Sequence, residues 1–236
     1  MALPKINQPL FELTIPSTKV KVKFRPFTVK EEKILLIAKE SEDFEQVVIA
    51  IKQIINNCID DIDVDALATF DLEYIIIQLR SKSVNDNIEM KIVDPDTKEE
   101  IDIVIDLNEL KVNEIEGHTP FVKIQDDIML HLSYPTLDVM KQFETSIKDG
   151  VDQDKIFNIM IKCMKEVIQG DDVYQFKDFS SEEVSEFVGS MSIGNLNDIK
   201  KFFDTMPTIT YKQEYTLKDG TKKDFIADGM NTFFLF

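Results

Sequence analysis

The sequence predicts an α+β protein: a β-hairpin and helices at the N-terminus, a small antiparallel β insert, and a C-terminal helical unit that ends in a β-hairpin. Three observations support this fold class. Stretches with apolar residues at every second position alternate with stretches whose apolar residues recur every three or four positions. Turn residues separate the strands, and hydroxyl or acidic residues precede the helices. With 236 residues, 43% of them apolar, the chain can bury sizeable cores.

The first predicted domain, residues 1–83, opens with a β-hairpin over residues 10–27. Apolar residues alternate with lysines in its second strand. Thr28 and Glu31 then have the spacing of a capping box, in which a hydroxyl and a carboxylate satisfy backbone donors, so a helix should begin there. Amphipathic spacing predicts two further helices, one from near Asp43 and one over about 70–80.

The second predicted domain, residues 84–134, has the period-two pattern of a small antiparallel sheet. Two hairpins are expected in it. One pairs residues 88–93 with 101–105 across a turn, and the other pairs residues 121–124 with 128–132.

The third predicted domain, residues 135–236, is helical and ends in a hairpin. Ser180 and Glu183 form a second capping box, and the Asp219-Gly220 turn between alternating segments is a strong hairpin signal. The helices are expected over about 137–148, 153–169, 181–190 and 195–205.

The charge of the chain argues against a nucleic-acid partner, because its formal net charge is −17. Residues 1–35 have a net charge of +4, which leaves −21 on the remainder. This asymmetry fits either long-range steering toward a basic partner or simple solubility. The sequence has neither an apolar run near the roughly 20 residues of a membrane span nor a secretory leader, so we expect a cytosolic protein without a membrane partner.

Motifs for a cofactor or a metal are not recognisable in the sequence. The seven glycines form no phosphate-binding loop, and His118 and His131 have no cysteine at ligand spacing. The alternating carboxylates of Asp61–Asp65 resemble the start of a calcium loop, but Ala66 replaces the glycine and Leu72 the bidentate acid that such a loop requires. We therefore expect no cofactor and no metal.

Motifs for catalysis are also not recognisable. Cys58 and Cys163 lie in apolar stretches, where free cysteines usually act as small buried hydrophobes. No serine stands in a nucleophile turn of the Gly-x-Ser-x-Gly type. Paired carboxylates cannot be selected from 44 acids by sequence alone, and sugar sites usually contain tryptophan, which this chain lacks.

Two arginines among 27 cationic residues are candidates for binding a protein partner. Arg25, followed closely by Phe27, precedes a predicted helix, and Arg80 ends one. The planar guanidinium offers paired donors that lysine cannot replace. The alternative is that each arginine caps a helix or forms an ion pair within the first domain.

The apolar C-terminal tail is a further candidate for partner binding. Its last four residues include Phe233, Phe234 and Phe236. Chain ends tend to fray unless they are docked. The tail is therefore expected either to pack on its own hairpin or to anchor a partner in the helix-in-groove manner.

Several short segments occur in a combination that is specific to one family: Met1–Ile6, Leu13–Thr18, Phe24–Lys33, Phe70–Tyr74, Leu79–Val84, Ile105–Leu107 and Leu132–Thr136. Together they resemble the baseplate hub assembly proteins of T-even-type bacteriophages, over essentially the whole chain. The opening hairpin, Arg-Pro pair and helix are also similar to the tail assembly chaperones that accompany the tape-measure protein.

The resemblance implies a non-enzymatic protein that helps to build the baseplate hub through contacts with other tail proteins, namely hub or tape-measure components. It implies action in the host cytoplasm during assembly, as a chaperone or as a subunit that remains in the virion tail baseplate, and it leaves the oligomeric state open. The alternative from another class is a tail-associated hydrolase that acts on the cell wall. Relatives often have a Cys-x-x-Cys pair in the central sheet, where this chain has Val93-Asp94-Pro95-Asp96, so we expect a sheet held by its apolar face without zinc.

Overall fold

The computed structural model describes residue 4 and residues 6–41, 43–148 and 153–228. Its mixture of helices and small antiparallel sheets confirms the predicted α+β class. None of the described helices has the length and apolar character needed to cross a bilayer. The described residues contain seven α-helices: α1 (Val29–Glu40), α2 (Phe44–Cys58), α3 (Thr69–Ser83), α4 (Leu137–Lys148), α5 (Gln153–Lys162), α6 (Ser181–Gly189) and α7 (Ile193–Asp204).

The strands form four antiparallel sheets within the described residues: β1–β2, β3–β4, β11–β10–β5 and β6–β7–β8–β9. Their bounds are β1 (Phe11–Thr14), β2 (Lys21–Phe24), β3 (Asn87–Val93), β4 (Glu100–Asp106), β5 (Val112–Asn113), β6 (Phe121–Gln125), β7 (Ile128–Leu132), β8 (Met164–Gln169), β9 (Asp172–Gln175), β10 (Thr208–Thr216) and β11 (Lys222–Asp228).

The chain divides into two compact units, which we name by their connectivity. The discontinuous unit consists of residues 1–113 and 208–236, and the inserted unit consists of residues 114–207. The three domains expected from the sequence, 1–83, 84–134 and 135–236, stay a prediction.

In the discontinuous unit, the β1–β2 hairpin and helices α1 to α3 share an apolar core. Phe11 stands opposite Phe24 in the hairpin, as the alternating pattern requires. Helices α2 and α3 bury apolar residues spaced three or four positions apart. The side chains with at most 2% exposure include Phe24, Ile51, Ile55, Leu72, Ile75 and Leu79.

A buried carboxylate holds the turn of this hairpin against the start of α3. Asp71 is 0% exposed, and its carboxylate accepts hydrogen bonds from the Ser17 amide at 2.8 Å, the Ser17 hydroxyl and the Ala68 amide at 3.2 Å. Burial raises the pKa of Asp71 despite these bonds. The two amide donors lie at a turn and at a helix start, so the carboxylate satisfies backbone groups that would otherwise be unpaired.

A second buried carboxylate connects two distant hairpins of the same unit. Asp94, in the turn between β3 and β4, is 0% exposed. Lys223 of β11 lies 2.8 Å from its carboxylate, and the Tyr215 hydroxyl of β10 donates to it at 2.7 Å. The Thr97 amide and hydroxyl donate at 2.8 and 3.0 Å. The ion pair and hydrogen bonds hold the pKa of Asp94 well below its usual range.

The two segments of the discontinuous unit also pair where the chain leaves it and returns. Asn113 of β5 stands opposite Thr208 of β10, and Val112 stands opposite Ile209. The inserted unit therefore begins and ends at neighbouring backbone positions.

The inserted unit packs helices α6 and α7 against its four-stranded sheet. Ser180 and Glu183 form the predicted capping box of α6, and Ser192 and Asn195 form another at α7. The shared core contains Val122, Leu130, Leu132, Val167, Val184, Val188, Ile199 and Phe202.

Two expectations for these segments were wrong. The helix predicted over 153–169 ends at Lys162, and Met164–Gln169 is strand β8, because pairing with β7 and β9 outweighs an apolar spacing that fits either structure. The two hairpins predicted to share one sheet lie in different sheets, since β7 pairs with β8 and β3–β4 stands as a pair.

We expect the substitution Asp94→Asn to lower the midpoint of thermal unfolding by several degrees, because a neutral amide replaces the buried carboxylate that accepts from Lys223, Tyr215 and Thr97. Asp96→Asn is the matched control, since the Asp96 side chain also lies 2.7 Å from Lys223 but is 78% exposed. Thermal unfolding followed by circular dichroism measures both. Equal shifts for the two variants would contradict the role given to the buried carboxylate.

Candidate protein-binding surfaces

A groove in the discontinuous unit brings together two of the residues that the sequence singles out. We name it the N-terminal groove, and its volume is about 960 Å³. Arg25 and Phe27 both line it. Its other walls come from the segments 6–10, 28–30 and 82–83.

Arg25 is positioned by the end of β2. Its backbone amide donates to the Cys58 carbonyl at 3.0 Å, which continues the contact between the hairpin and the end of α2. Its guanidinium lies 3.1 Å from a carboxylate oxygen of Glu31 and donates to the Pro26 carbonyl at 3.0 Å. The structure thus places Arg25 in an ion pair within its own unit, one of the two alternatives that the sequence leaves open.

Glu31 is the buried partner in this pair, with 1% exposure. It accepts the Thr28 amide at 2.9 Å, which is the carboxylate half of the predicted capping box, and the Thr28 hydroxyl donates to the same carboxylate at 2.6 Å. Burial acts to raise its pKa, but the hydrogen bonds from Arg25 and Thr28 outweigh burial and lower the pKa of Glu31 to about 2. The hydrogen bond to Glu31 in turn raises the pKa of Arg25. Both groups are therefore charged at neutral pH.

Three exposed aliphatic side chains line the N-terminal groove. Ile6, Leu10 and Val29 are 86%, 70% and 86% exposed. Lys30 and Lys82 add positive charge beside them. Sequence reasoning missed all five residues. No sequence signal distinguished Val29, because an aliphatic residue at the start of a helix can also be buried, as Leu137 is at the start of α4.

Phe27 connects this groove to α3. Its side chain is half-buried, and its backbone amide donates to the Ser83 hydroxyl at 2.8 Å. The exposed part of the ring is available to the groove, while the backbone is held. Its role in binding a partner stays a prediction.

Arg80 is not among the described residues that line the N-terminal groove. It lies on α3. Burial lowers the pKa of Arg80, although the charge of Glu32 acts in the opposite direction. The tail residues Phe233, Phe234 and Phe236 lie outside the described residues. Their proposed contacts stay predictions.

The inserted unit contains an apolar pocket of about 600 Å³ that no sequence motif indicates. Three methionines line it, Met140, Met160 and Met206, together with residues that include Phe157 and Phe203. Methionine adapts its shape readily and is frequent in binding surfaces that accept varied partners. The pocket joins α4, α5 and α7, which are distant in sequence, so local patterns could not predict it.

The cysteines have the predicted character of buried hydrophobes. Cys58 and Cys163 are both free and buried. Burial raises the pKa of the Cys58 thiol to about 11 and that of Cys163 to about 12. Both thiols are therefore protonated at neutral pH and are poor nucleophiles.

The histidines make contacts within the inserted unit. His131 of β7 lies 2.7 Å from Glu166 of β8, and hydrogen bonding to His131 lowers the pKa of Glu166. His118 lies 2.9 Å from the Thr205 hydroxyl and 3.0 Å from the Tyr134 hydroxyl. No group of three or more potential metal ligands occurs in the part of the chain that the structure describes.

We expect Glu31→Gln to destabilise the protein by roughly 2 kcal/mol near neutral pH, because Arg25 loses its buried counter-ion. The folded-state pKa of about 2 lies below the ordinary 4.5, so the carboxylate stabilises the fold fully above pH 4.5 and less as the pH falls toward 2. The difference between the two proteins should therefore shrink over that range. Denaturant unfolding at several pH values measures it.

Glu40→Gln is the control for this measurement, since Glu40 lies on the same helix and is exposed. It should change the free energy of unfolding little at any pH. A Glu31→Gln difference that stays constant between pH 4.5 and 2 would contradict the depressed pKa.

Comparison with known proteins gives one family. The sequence model of the T4 bacteriophage base plate protein matches residues 8–235, which is nearly the whole chain of 236 residues and includes both units. No curated protein and no solved structure matches. The chain therefore belongs to the T4 bacteriophage base plate protein family.

Proposed function

We propose that this baseplate protein acts without catalysis in assembly of the baseplate hub, by binding another tail protein through the N-terminal groove. Hub or tape-measure components are the proposed partners. The observation that supports this most directly is the set of exposed aliphatic side chains beside a fixed ion pair in one groove. Exposed apolar groups gathered in a concave surface are typical of a protein-binding site.

The groove combines an apolar and a charged element of recognition. Ile6, Leu10 and Val29 are exposed in the free protein and would be removed from water by a partner. Each fully buried aliphatic side chain contributes about 1.5 kcal/mol or more. Lys30 and Lys82 favour a partner with acidic residues beside its apolar contact.

The Arg25–Glu31 pair supports the groove from inside. Arg25 is one wall of the groove, and its guanidinium is held by Glu31 and by the Pro26 carbonyl. A wall held in one conformation before binding lowers the entropy cost of association. Arg25 thus contributes shape and positive potential, while its hydrogen bonds to Glu31 stay within the unit.

The same groove serves a chaperone or a lasting subunit. We propose that binding takes place in the host cytoplasm during assembly and that the protein either leaves or remains in the tail. The ratio of this chain to other baseplate proteins in purified virions and in infected-cell lysate distinguishes the two. A chain present in lysate but missing from virions is a chaperone.

We expect Val29→Asp to reduce the yield of assembled baseplates and infectious particles by about tenfold or more, because a charge replaces an aliphatic contact that the partner would bury. The fold should be unaffected. Val29 is the first residue of α1, where an acidic residue interacts favourably with the helix dipole. Complementation of a phage that lacks the gene, followed by plaque counts and electron microscopy, measures the effect.

Ile193→Asp provides a matched control for this substitution. Ile193 is also the first residue of a helix, α7, and is 79% exposed against 86% for Val29. It should support normal assembly. Equal yields from the two variants, whether normal or reduced, would overturn the assignment of the N-terminal groove as the binding site.

A further inference from the structure

The sheet of the inserted unit has two edge strands that differ in how they are covered. At β6, the side-chain amide of Asn195 donates to the carbonyls of Lys123 and Ile124, at 3.4 and 3.1 Å. At the other edge, β9 pairs with β8, and no other strand pairs with it among the described residues. The open side of β9 is thus a place where another strand can add to the sheet.

The register of the hairpin shows which backbone groups face this open side. A two-residue turn, Gly170–Asp171, joins β8 to β9, with Gly170 at φ +58°. The pair beside such a turn, Gln169 and Asp172, is hydrogen-bonded, and hydrogen-bonded pairs alternate along the ladder. The amides and carbonyls of Val173 and Gln175 therefore point away from β8.

An aromatic pocket of about 320 Å³ lies beside this strand. Tyr174 of β9 is one of its walls and lies 6.4 Å from Phe179, measured between ring centroids. Phe176 and Phe187 form another wall, with centroids 5.9 Å apart. Asp172 and Tyr174 share the face of β9 that borders the pocket, because side chains alternate along a strand.

The surroundings of the edge strand are strongly acidic. Residues 166–187 contain seven acids and one lysine. Glu166 is engaged with His131, while the other six acids are exposed: Asp171, Asp172, Asp178, Glu182, Glu183 and Glu186. Such a concentration of negative charge attracts cationic segments and repels acidic ones.

We propose that β9 binds an extended, lysine- or arginine-containing segment of another protein as an additional strand of this sheet. The open amides and carbonyls of Val173 and Gln175 supply main-chain hydrogen bonds, and the aromatic pocket accepts an apolar side chain of the bound strand. Addition of a strand to a sheet edge gives affinity through the backbone and specificity through such pockets. This surface lies in the inserted unit, and its test does not depend on the N-terminal groove.

Charge selects this occupant over a second copy of the chain. Pairing of two β9 edges would place two acidic segments, each with Asp171 and Asp172 at its turn, next to one another. Like charges held close together oppose association. A cationic strand from a different protein removes that repulsion.

The test uses the full-length protein and a synthetic extended peptide in which threonines alternate with lysines around one central leucine. We expect saturable binding by isothermal titration calorimetry. Methylation of alternate backbone nitrogens in the peptide should weaken binding by about tenfold, because it removes main-chain donors and leaves the side chains unchanged. Equal affinity of the methylated peptide, or no binding of either peptide, would overturn the proposal.

Two pairs of protein variants complete the test. Val173→Pro removes an outward amide at an edge position where proline is tolerated, and Val173→Thr is its control. The double variant Asp172→Lys with Asp178→Lys should also weaken binding, whereas Asp198→Lys with Asp204→Lys changes the net charge equally on α7 and should not. Weakening by both charge variants indicates a non-specific charge effect and overturns the proposal. A dimer in sedimentation experiments that Val173→Pro dissociates identifies a second copy as the occupant and also overturns it.

Discussion

The discontinuous unit depends on contacts between its two sequence segments, and the ion pair between the buried Asp94 and Lys223 is one of them. It joins a turn before the inserted unit to a strand after it, so two segments that are distant in sequence become one compact unit. The β5–β10 pairing at Asn113 and Thr208 brings the two chain crossings together. The two segments enclose the inserted unit as a loop. The entropy cost of closing a loop grows only slowly with its length, so the inserted residues add little to that cost.

Buried carboxylates connect turns and helix starts in this acidic chain. Glu31, Asp71 and Asp94 are at most 1% exposed, and each accepts hydrogen bonds from a turn or a helix start. They differ in their charge partner. Glu31 and Asp94 face Arg25 and Lys223 and have lowered pKa values, whereas Asp71 is raised by burial. On acidification Asp71 should therefore be protonated first, whereas the stabilisation that Glu31 and Asp94 supply is lost only as the pH falls below the ordinary pKa values of these two carboxyls.

Local chemistry accounts for what the sequence could predict. The hairpin turn at Asp219-Gly220 and the capping box at Ser180 depend on neighbouring residues and occur as expected, as does the bond from the Thr28 amide to the Glu31 carboxylate. The segment 164–169 fits helix or strand equally well by its apolar spacing, and only its partners in the sheet decide. The ion pair between Asp94 and Lys223 could not be predicted for a similar reason. It joins two hairpins that are distant in sequence, whereas the prediction considered the β3–β4 hairpin alone.

The candidate binding surfaces, too, could be predicted only as far as local sequence determines them. Arg25 could be selected because arginine is rare in this chain, yet its ion pair with Glu31 depends on how α1 meets the hairpin. The N-terminal groove has cationic residues, and the β9 edge is surrounded by acids. If both proposals hold, the two surfaces prefer partners of opposite charge, and one partner segment cannot satisfy both. A chain with two such surfaces is suited to hold two different components of one assembly. A single surface of uniform charge would not distinguish between those components.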